Sequence, residues 1–195
     1  MNTNRQSPAV DIDNLRQRAR QHVEDGAVTA RYTADRDVVL RRLNAALATE
    51  LVCALRYRRH HFMARGIQSQ AIAEEFLVHS NEEMSHADRL AERIVQLGGA
   101  PDFSPGCLTE RSHAEYVEGS SLLDMVRENL VAERIAIESY LDFIAYLDNE
   151  DPTTQRMLES ILAVEEEHAD ELSDLLQTVP PHAQSTQQTL TLRSA

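Results

Sequence analysis

Four long amphipathic stretches of this sequence each interrupt an apolar stripe with a glutamate. Steps of three and four along residues 69–97 run through Ile72, Phe76, His79, Glu83, His86, Leu90, Ile94 and Leu97. An earlier stretch gives Val39, Leu43, Ala46, Leu47, Glu50, Ala54 and Tyr57. A third gives Val126, Leu130, Glu133, Ile137, Tyr140, Ile144 and Leu147, and a fourth gives Leu158, Ile161, Glu165, His168, Leu172 and Leu175. Residues at these spacings share one helical face, and the apolar face is the one that packs. A chain folded on these faces buries four carboxylates together, so any fold proposed for it must say what compensates them.

The punctuation agrees with four helices. Gly and Pro together number only 12 in 195 residues. The first helix is predicted over Asp35–Arg65, stopping at Gly66, and the second over Ser69–Leu97, stopping at Gly98 and Gly99. A long connection, residues 100–119, follows and contains Pro101, Pro105 and Gly106. The third helix is predicted to start from a cap at Ser120 or Ser121 and to end near Leu147. The fourth starts cleanly, with Asp151 as cap and Pro152 at the first helical position, and ends near Thr178 before Pro180 and Pro181. Short links within each pair and one long crossover between pairs describe two helical hairpins joined into an all-α four-helix bundle. Residues 1–34 form a polar leader in which Asp13 is predicted to cap a short helix, with Leu15, Ala19 and Val23 on one face and Gly26 beyond its end. Residues 35–178 form the bundle. Residues 179–195 are a polar tail without helical periodicity, so no fifth C-terminal helix is predicted.

Charge and composition narrow the function classes. The net charge is −13, and all 19 basic residues are arginine. The leader's Arg and acidic residues nearly balance, so it is not a basic arm, and DNA binding is not expected. No apolar run reaches the roughly 20 residues of a membrane span, and the N-terminus lacks the apolar segment of a signal peptide, so a cytoplasmic location is expected. Two cysteines, Cys53 and Cys107, make neither a disulfide framework nor a CxxC knuckle.

The polar residues of the stripes form a pattern of their own. Two helices carry Glu-x-x-His: Glu83 with His86, and Glu165 with His168. Residues three apart lie on one helical face, so each pair can chelate a common ion. Glu50 precedes Glu83 by 33 residues, and Glu133 precedes Glu165 by 32. Tyr57 follows Glu50 by seven residues, and Tyr140 follows Glu133 by seven. The two halves read as one hairpin used twice about a pseudo-two-fold axis. Four carboxylates without partners would repel one another and lose hydration at several kcal/mol per ion. Two divalent cations bring four positive charges against four negative ones. Oxygen ligands with one imidazole per ion suit iron or manganese better than structural zinc. A single Glu on an apolar face is usually salt-bridged to Arg, and one ExxH arises readily by chance in an acidic helix. Glu166 and Glu167 are read as solvated. Two ExxH pairs and two further Glu in register on four helices are a metal-site pattern.

These residues resemble the di-iron motif of bacterioferritins and ferritin-like proteins over about Val38 to Leu176. "LNAALATELVCALRY" is similar to the first helix of bacterioferritin, and "EEMSHADRLAERIVQLGGAP" to its second helix and turn. The resemblance implies a ferritin-like bundle and an iron-oxidising, iron-storing cage: a ferroxidase that binds two Fe(II), oxidises them with O₂ or peroxide and passes Fe(III) into a shell, giving iron detoxification and oxidative-stress protection. By position, Glu50 and His86 would hold one iron, Glu133 and His168 the other, and Glu83 and Glu165 would bridge. Tyr57 matches a family tyrosine beside the site, as electron donor or hydrogen-bonding neighbour. Tyr140 is added from the repeat. Met84 matches the bacterioferritin ligand to haem b. Packing at a dimer interface is the preferred reading, because no second haem determinant can be read. The leader and the missing fifth helix are more like Dps-type mini-ferritins, including a Dps-like group that keeps a bacterioferritin-style site and can carry a redox-active Cys pair. They imply twelve subunits rather than twenty-four. The rival readings are a manganese catalase, with the same ligands, and a di-iron peroxidase, which in rubrerythrin-like form would carry a CxxC iron domain.

Overall fold

A computed structural model describes residues 11–64 and 69–178. The described residues form α1 (Ile12–Arg18), α2 (Arg36–Met63), α3 (Gln70–Gln96), α4 (Leu108–Arg111), α5 (Leu122–Leu147) and α6 (Pro152–Thr178), with short 3₁₀ turns at Val23–Asp25 and Pro105–Cys107 and no strand. The four long helices pack as a bundle, α2 chiefly on α3 and α5 chiefly on α6. Among the described residues no helix is long and apolar enough to cross a membrane.

The ends of the long helices follow from their capping residues. Asp35 accepts the Val38 amide at 3.1 Å, Ser121 the Asp124 amide at 3.1 Å, and Asp151 the Thr154 amide at 3.0 Å. Each supplies an acceptor to a first-turn N–H that has no partner within its own helix. Of the two serines expected to cap the third helix, Ser121 takes the role. At the end of α3, Gly98 has φ 77° and its N–H donates to Val95 O, while Gly99 N–H donates to Ile94 O, both at 2.9 Å. That is the six-to-one and five-to-two pairing that closes a helix with a left-handed residue. Gly99 is favoured by space rather than by backbone conformation: a Cβ there would lie 2.5 Å from Leu40 Cδ2, and the leucine side chain would have to shift. Helix α2 ends at Met63, two residues short of the expected Arg65, with Ala64 as its cap in extended conformation. Gly66, the expected stop, and the tail after Thr178 lie outside the described residues.

The crossover is fixed rung by rung along α2. Asn44 donates to Ala100 O and accepts from Asp102 N; Thr49 Oγ1 accepts from His113 N; Arg56 donates to Glu115 O, and His60 Nε2 meets Glu118 O. The chain therefore travels from the N-terminal to the C-terminal end of α2 before entering α5. Helices α3 and α5 consequently start at the same end and run parallel, the arrangement that distinguishes this bundle from a simple up-down-up-down one.

Two buried arginines tie distant parts together. Arg93 on α3 donates through Nη2 to both oxygens of Asp151, at 2.8 and 3.0 Å, and through Nε to Thr154 Oγ1 at 2.8 Å. Tyr32 of the leader donates to the same carboxylate at 3.1 Å. Arg56 donates to Asn129 Oδ1 at 2.9 Å as well as to the crossover. Charge-assisted bonds of this kind satisfy groups that burial would otherwise strand.

The leader helix differs from expectation. Asp11, not Asp13, is its cap, accepting from the Asn14 amide at 3.0 Å, and the helix ends at Arg18. None of its residues is buried, and Leu15 and Val23 are exposed. The leader meets its own bundle only further on, where Val28, Tyr32 and Ala34 join the core. Asp13 loses to Asp11 because the cap must lie three residues before the amide it serves, and only Asp11 has a free first-turn N–H at that distance.

Two apolar layers fill the bundle. One contains Leu43, Leu47, Leu90, Ile94, Leu147, Leu158 and Ile161; the other contains Tyr57, Ile72, Phe76, Val126 and Leu172. The four stripe glutamates fall between these layers in every helix.

Candidate metal centre

Glu50, Glu83, Glu133 and Glu165 are each no more than 1% exposed. His86 and His168 are buried beside them. One turn of α3 presents Glu83 and His86, one turn of α6 presents Glu165 and His168, and α2 and α5 supply one carboxylate each. His86 Nδ1 lies 2.8 Å from Glu165 Oε1, 3.3 Å from Glu50 Oε2 and 3.9 Å from Glu83 Oε2. His168 Nδ1 lies 3.6 Å from Glu83 Oε1 and 4.0 Å from Glu133 Oε2. Two ligand groups result, one of Glu50, Glu83, His86 and Glu165 and one of Glu83, Glu133, Glu165 and His168, each with its donor atoms within 4.8 Å of one another. Glu83 and Glu165 belong to both, and Glu83 turns one oxygen toward each imidazole.

The donor atoms are conspicuously unsatisfied. Glu50 Oε2, Glu83 Oε1, His86 Nδ1, Glu133 Oε2, both oxygens of Glu165 and His168 Nδ1 are buried and have no hydrogen-bond partner. The close approach of His86 to Glu165 does not have hydrogen-bond geometry. Buried polar atoms are almost always paired, and a knot of seven unpaired ones around one point is what a cation site presents when only its protein ligands are considered. The chemistry agrees with the geometry: carboxylates and neutral imidazoles are the ligand set of iron and manganese.

Electrostatics divide the carboxylates. Burial, and then the neighbouring carboxylates, hold Glu83 and Glu165 well above the usual range. Burial also pushes Glu50 upward, but the close approach of Glu83 and His86 and the hydroxyl of Tyr140 outweigh it, so its carboxyl ends lower than usual. Two divalent ions would replace the protons that the raised carboxyls otherwise keep.

The tyrosines cross the pseudo-two-fold axis. Tyr57 on α2 donates to Glu133 on α5, and Tyr140 on α5 donates to Glu50 on α2. Each thus fixes the carboxylate of the opposite half, leaving that group's second oxygen turned inward. Burial, reinforced by the carboxylates, raises both phenols well above their ordinary value, so they are firm donors. Met84 is on the surface of α3, 37% exposed, and is in neither ligand group. Cys53 is buried against Ala114 and Ala132, and burial pushes its thiol up to about 12. Both cysteines are free thiols. Glu166 and Glu167 are exposed.

One buried residue near the centre received no role from the sequence. His79, one turn before Glu83, stacks on His168 with centroids 4.0 Å apart and planes 20° apart, and stands edge-on to Tyr57. Its position on the apolar stripe was the only available signal.

A four-helix bundle with one long crossover and a buried carboxylate–imidazole cluster able to hold metal is the class that fold and site define. The match of residues 40–180 to the model of the ferritin-like domain makes the assignment specific: the chain belongs to the ferritin-like family, the iron-storage group that includes bacterioferritins and Dps-like proteins. It is 32% identical to the bacterioferritin of Mycobacterium leprae over 139 residues, 71% of this chain and 83% of that one. It is also 32% identical to a nutrient stress-induced DNA-binding protein of Nostoc sp. over 137 residues, 69% of this chain and 74% of that one. Among solved structures it resembles a dodecameric thioferritin, the bacterioferritin-related protein of Bacteroides fragilis, with TM-score 0.71 and 30% identity over 74% of this chain and 87% of that one. Dps from Thermosynechococcus elongatus shares the fold, with TM-score 0.69 at 20% identity over 72% of this chain and 90% of that one.

Proposed function

We infer that the protein is a ferroxidase that oxidises Fe(II) at the buried centre and stores the Fe(III) within a shell of identical chains. The observation that carries this reading is the set of seven unpaired donor atoms shared between two overlapping ligand groups. Glu50 and His86 hold one iron, Glu133 and His168 the second, and Glu83 and Glu165 bridge them. Iron is here substrate and cargo. Two Fe(II) give one electron each; with two protons these reduce O₂ to peroxide, or peroxide to two waters. Consuming Fe(II) and peroxide together would also protect against oxidative damage. The protein's part is to neutralise the paired ions with four carboxylates, to orient Glu50 and Glu133 through the two tyrosines, and to exclude bulk water with the apolar layers on either side. Met84 is assigned to surface packing, not to haem. The test is to mix metal-free protein with Fe(II) under air or with peroxide. Fast Fe(III) formation, with iron co-eluting with protein on gel filtration, supports the reading. Release of O₂ from peroxide without iron uptake would identify a manganese catalase instead, and reductant-coupled peroxide removal without iron retention a di-iron peroxidase.

The shell is expected to contain twelve chains. Closed symmetry requires each interface to be supplied by some surface element. Beyond α6 the sequence meets Pro180 and Pro181, and Leu190 and Leu192 then alternate with Thr at a spacing of two, a pattern without the period of an amphipathic helix that could serve a four-fold axis. The related Bacteroides fragilis protein is itself dodecameric. Twelve chains of 22.0 kDa make roughly 264 kDa and twenty-four roughly 528 kDa. Light scattering separates the two, and the heavier mass would refute the smaller shell.

DNA binding is expected to be weak despite the name of the Nostoc relative. The chain carries −13 and its leader is close to neutral. Any binding should be phosphate-driven and fall steeply with salt. A mobility shift that persists at physiological salt would contradict this.

A further inference from the structure

The pseudo-two-fold relation between the hairpins holds for the six candidate ligands and fails just behind them. A shift of 82 residues carries Glu83 to Glu165 and His86 to His168. The same shift carries Glu82 to Val164 and His79 to Ile161. Where α3 has a carboxylate and an imidazole, α6 therefore has two aliphatic side chains, which offer neither a hydrogen-bond acceptor nor a ring.

The two imidazoles are held differently as a result. His168 Nε2 donates to Glu82 Oε2 at 2.8 Å. His79 lies flat against the same ring, with centroids 4.0 Å apart and planes 20° apart. The stacking sets the plane of the ring, and the hydrogen bond sets its rotation within that plane. Nδ1 is left turned to the centre, 3.6 Å from Glu83 Oε1 and 4.0 Å from Glu133 Oε2, with no hydrogen-bond partner of its own. His86 lacks this support. No described residue accepts a hydrogen bond from its Nε2, and the ring that faces it is His168 itself, 6.4 Å away between centroids.

We propose that Glu82 is a positioning residue for His168, and that through it the Glu133–His168 half of the centre takes its ion first and more tightly than the Glu50–His86 half. A ring already turned to present its nitrogen loses little freedom when the ion arrives. A carboxylate on the far N–H also strengthens the coordinating nitrogen as a ligand. Losing such a partner costs about 10–100-fold in metal affinity. Glu82 does not itself reach the buried ligand groups, and its side chain is 46% exposed, so replacing it leaves the apolar layers intact. The proposal rests on the two-ion reading of the buried centre, so its test must tell the two apart.

The probe is Zn(II), which is redox-inert. Metal-free shells are titrated calorimetrically, and crystals carrying one zinc per chain are examined for anomalous scattering at the zinc edge. The parent should bind two ions with constants about tenfold or more apart. The single-ion crystals should place zinc within about 2.1 Å of His168 Nδ1. Glu82→Val, which copies the residue of the other half, should weaken the tighter constant by about 10–100-fold and divide the single ion between the two imidazoles. Glu82→Gln, whose amide oxygen still accepts from Nε2, should fall between. Melting of the metal-free variants separates positioning from mere support: a melting temperature that falls while the ratio of the two constants stays unchanged would overturn the proposal. So would a first ion at His86, or two ions bound with equal constants in the parent, and the two-ion centre would then stand. A parent that takes fewer than two zinc ions at the six ligands would instead overturn the two-ion reading itself.

Discussion

Replacing Glu83 by alanine should slow Fe(II) oxidation by roughly a hundredfold or more while the bundle remains folded. The size follows from position. Removal of groups that merely orient metal ligands costs about 10–100-fold, and Glu83 touches both ligand groups directly. Its Oε2 is 3.9 Å from His86 Nδ1 and its Oε1 3.6 Å from His168 Nδ1. Without it, three carboxylates face the four positive charges of two Fe(II), and nothing on α3 holds the ions together. The fold should survive because, without metal, Glu83 is a burden to the bundle: burial and the charges of Glu165, Glu133 and Glu50 all oppose its ionisation. The isosteric Glu83→Gln removes the charge without opening a cavity, and its metal-free form should melt at or above the parent temperature. Stopped-flow oxidation and calorimetry on the same preparations give both readouts. Parent-rate oxidation by either variant would remove Glu83 from the centre.

The convergence of the six candidate ligands was legible in the sequence because side chains that meet on helices inherit the helical period. Glu83 and His86, and Glu165 and His168, are neighbours by spacing alone, and the register of Glu50 and Glu133 needs only the apolar stripe to be counted. What could not be read depends on which helix lies opposite. Tyr57 shares a face with Glu50, yet its hydroxyl reaches Glu133, because seven residues carry it two turns along the axis to the level of the facing helix's carboxylate. Arg93 and Arg56 look like ordinary solvated cations until partners 58 and 73 residues away close over them. His79 lay on the counted stripe, but its carboxylate Glu171 is 92 residues distant. The leader misled for the opposite reason: a seven-residue helix with apolar side chains has a pattern but no surface to bury it against, and nothing in the pattern distinguishes Asp11 from Asp13 as cap.

Bound metal should stabilise the protein more at each step from neutral to alkaline pH. Glu83 and Glu165 have folded-state values well above the 4.5 of an ordinary glutamate. A group raised in the folded state contributes stability that is complete below its unfolded value and is lost as pH rises through its folded value. The metal-free bundle therefore weakens from about pH 4.5 upward, as the two carboxyls surrender protons they need. Histidines act on the acid side: burial lowers His60 and His79 to about 4, so stability falls as pH drops from their unfolded value near 6.5 toward 4. Glu50, lowered in the fold, likewise contributes stability above its unfolded value that is lost in acid. Above about pH 7.5 these histidines are neutral and Glu50 is ionised in both states, so the further decline belongs to Glu83 and Glu165, joined toward pH 9 by the buried Cys53 thiol, which acts on the metal-free and metal-loaded forms alike and so cancels from the gap between them. Metal reverses that decline, since it binds the carboxylates after the protons leave and binds more tightly as pH rises. At a thousandfold excess over its dissociation constant each ion contributes about 4 kcal/mol, roughly 8 kcal/mol for the two. Calorimetry of metal-free and Zn(II)-loaded shells at pH 7.5 and 9 should show the melting temperature of the first falling and the gap between them widening. A gap that stays constant or narrows would mean that Glu83 and Glu165 are not the carboxyls the metal displaces protons from.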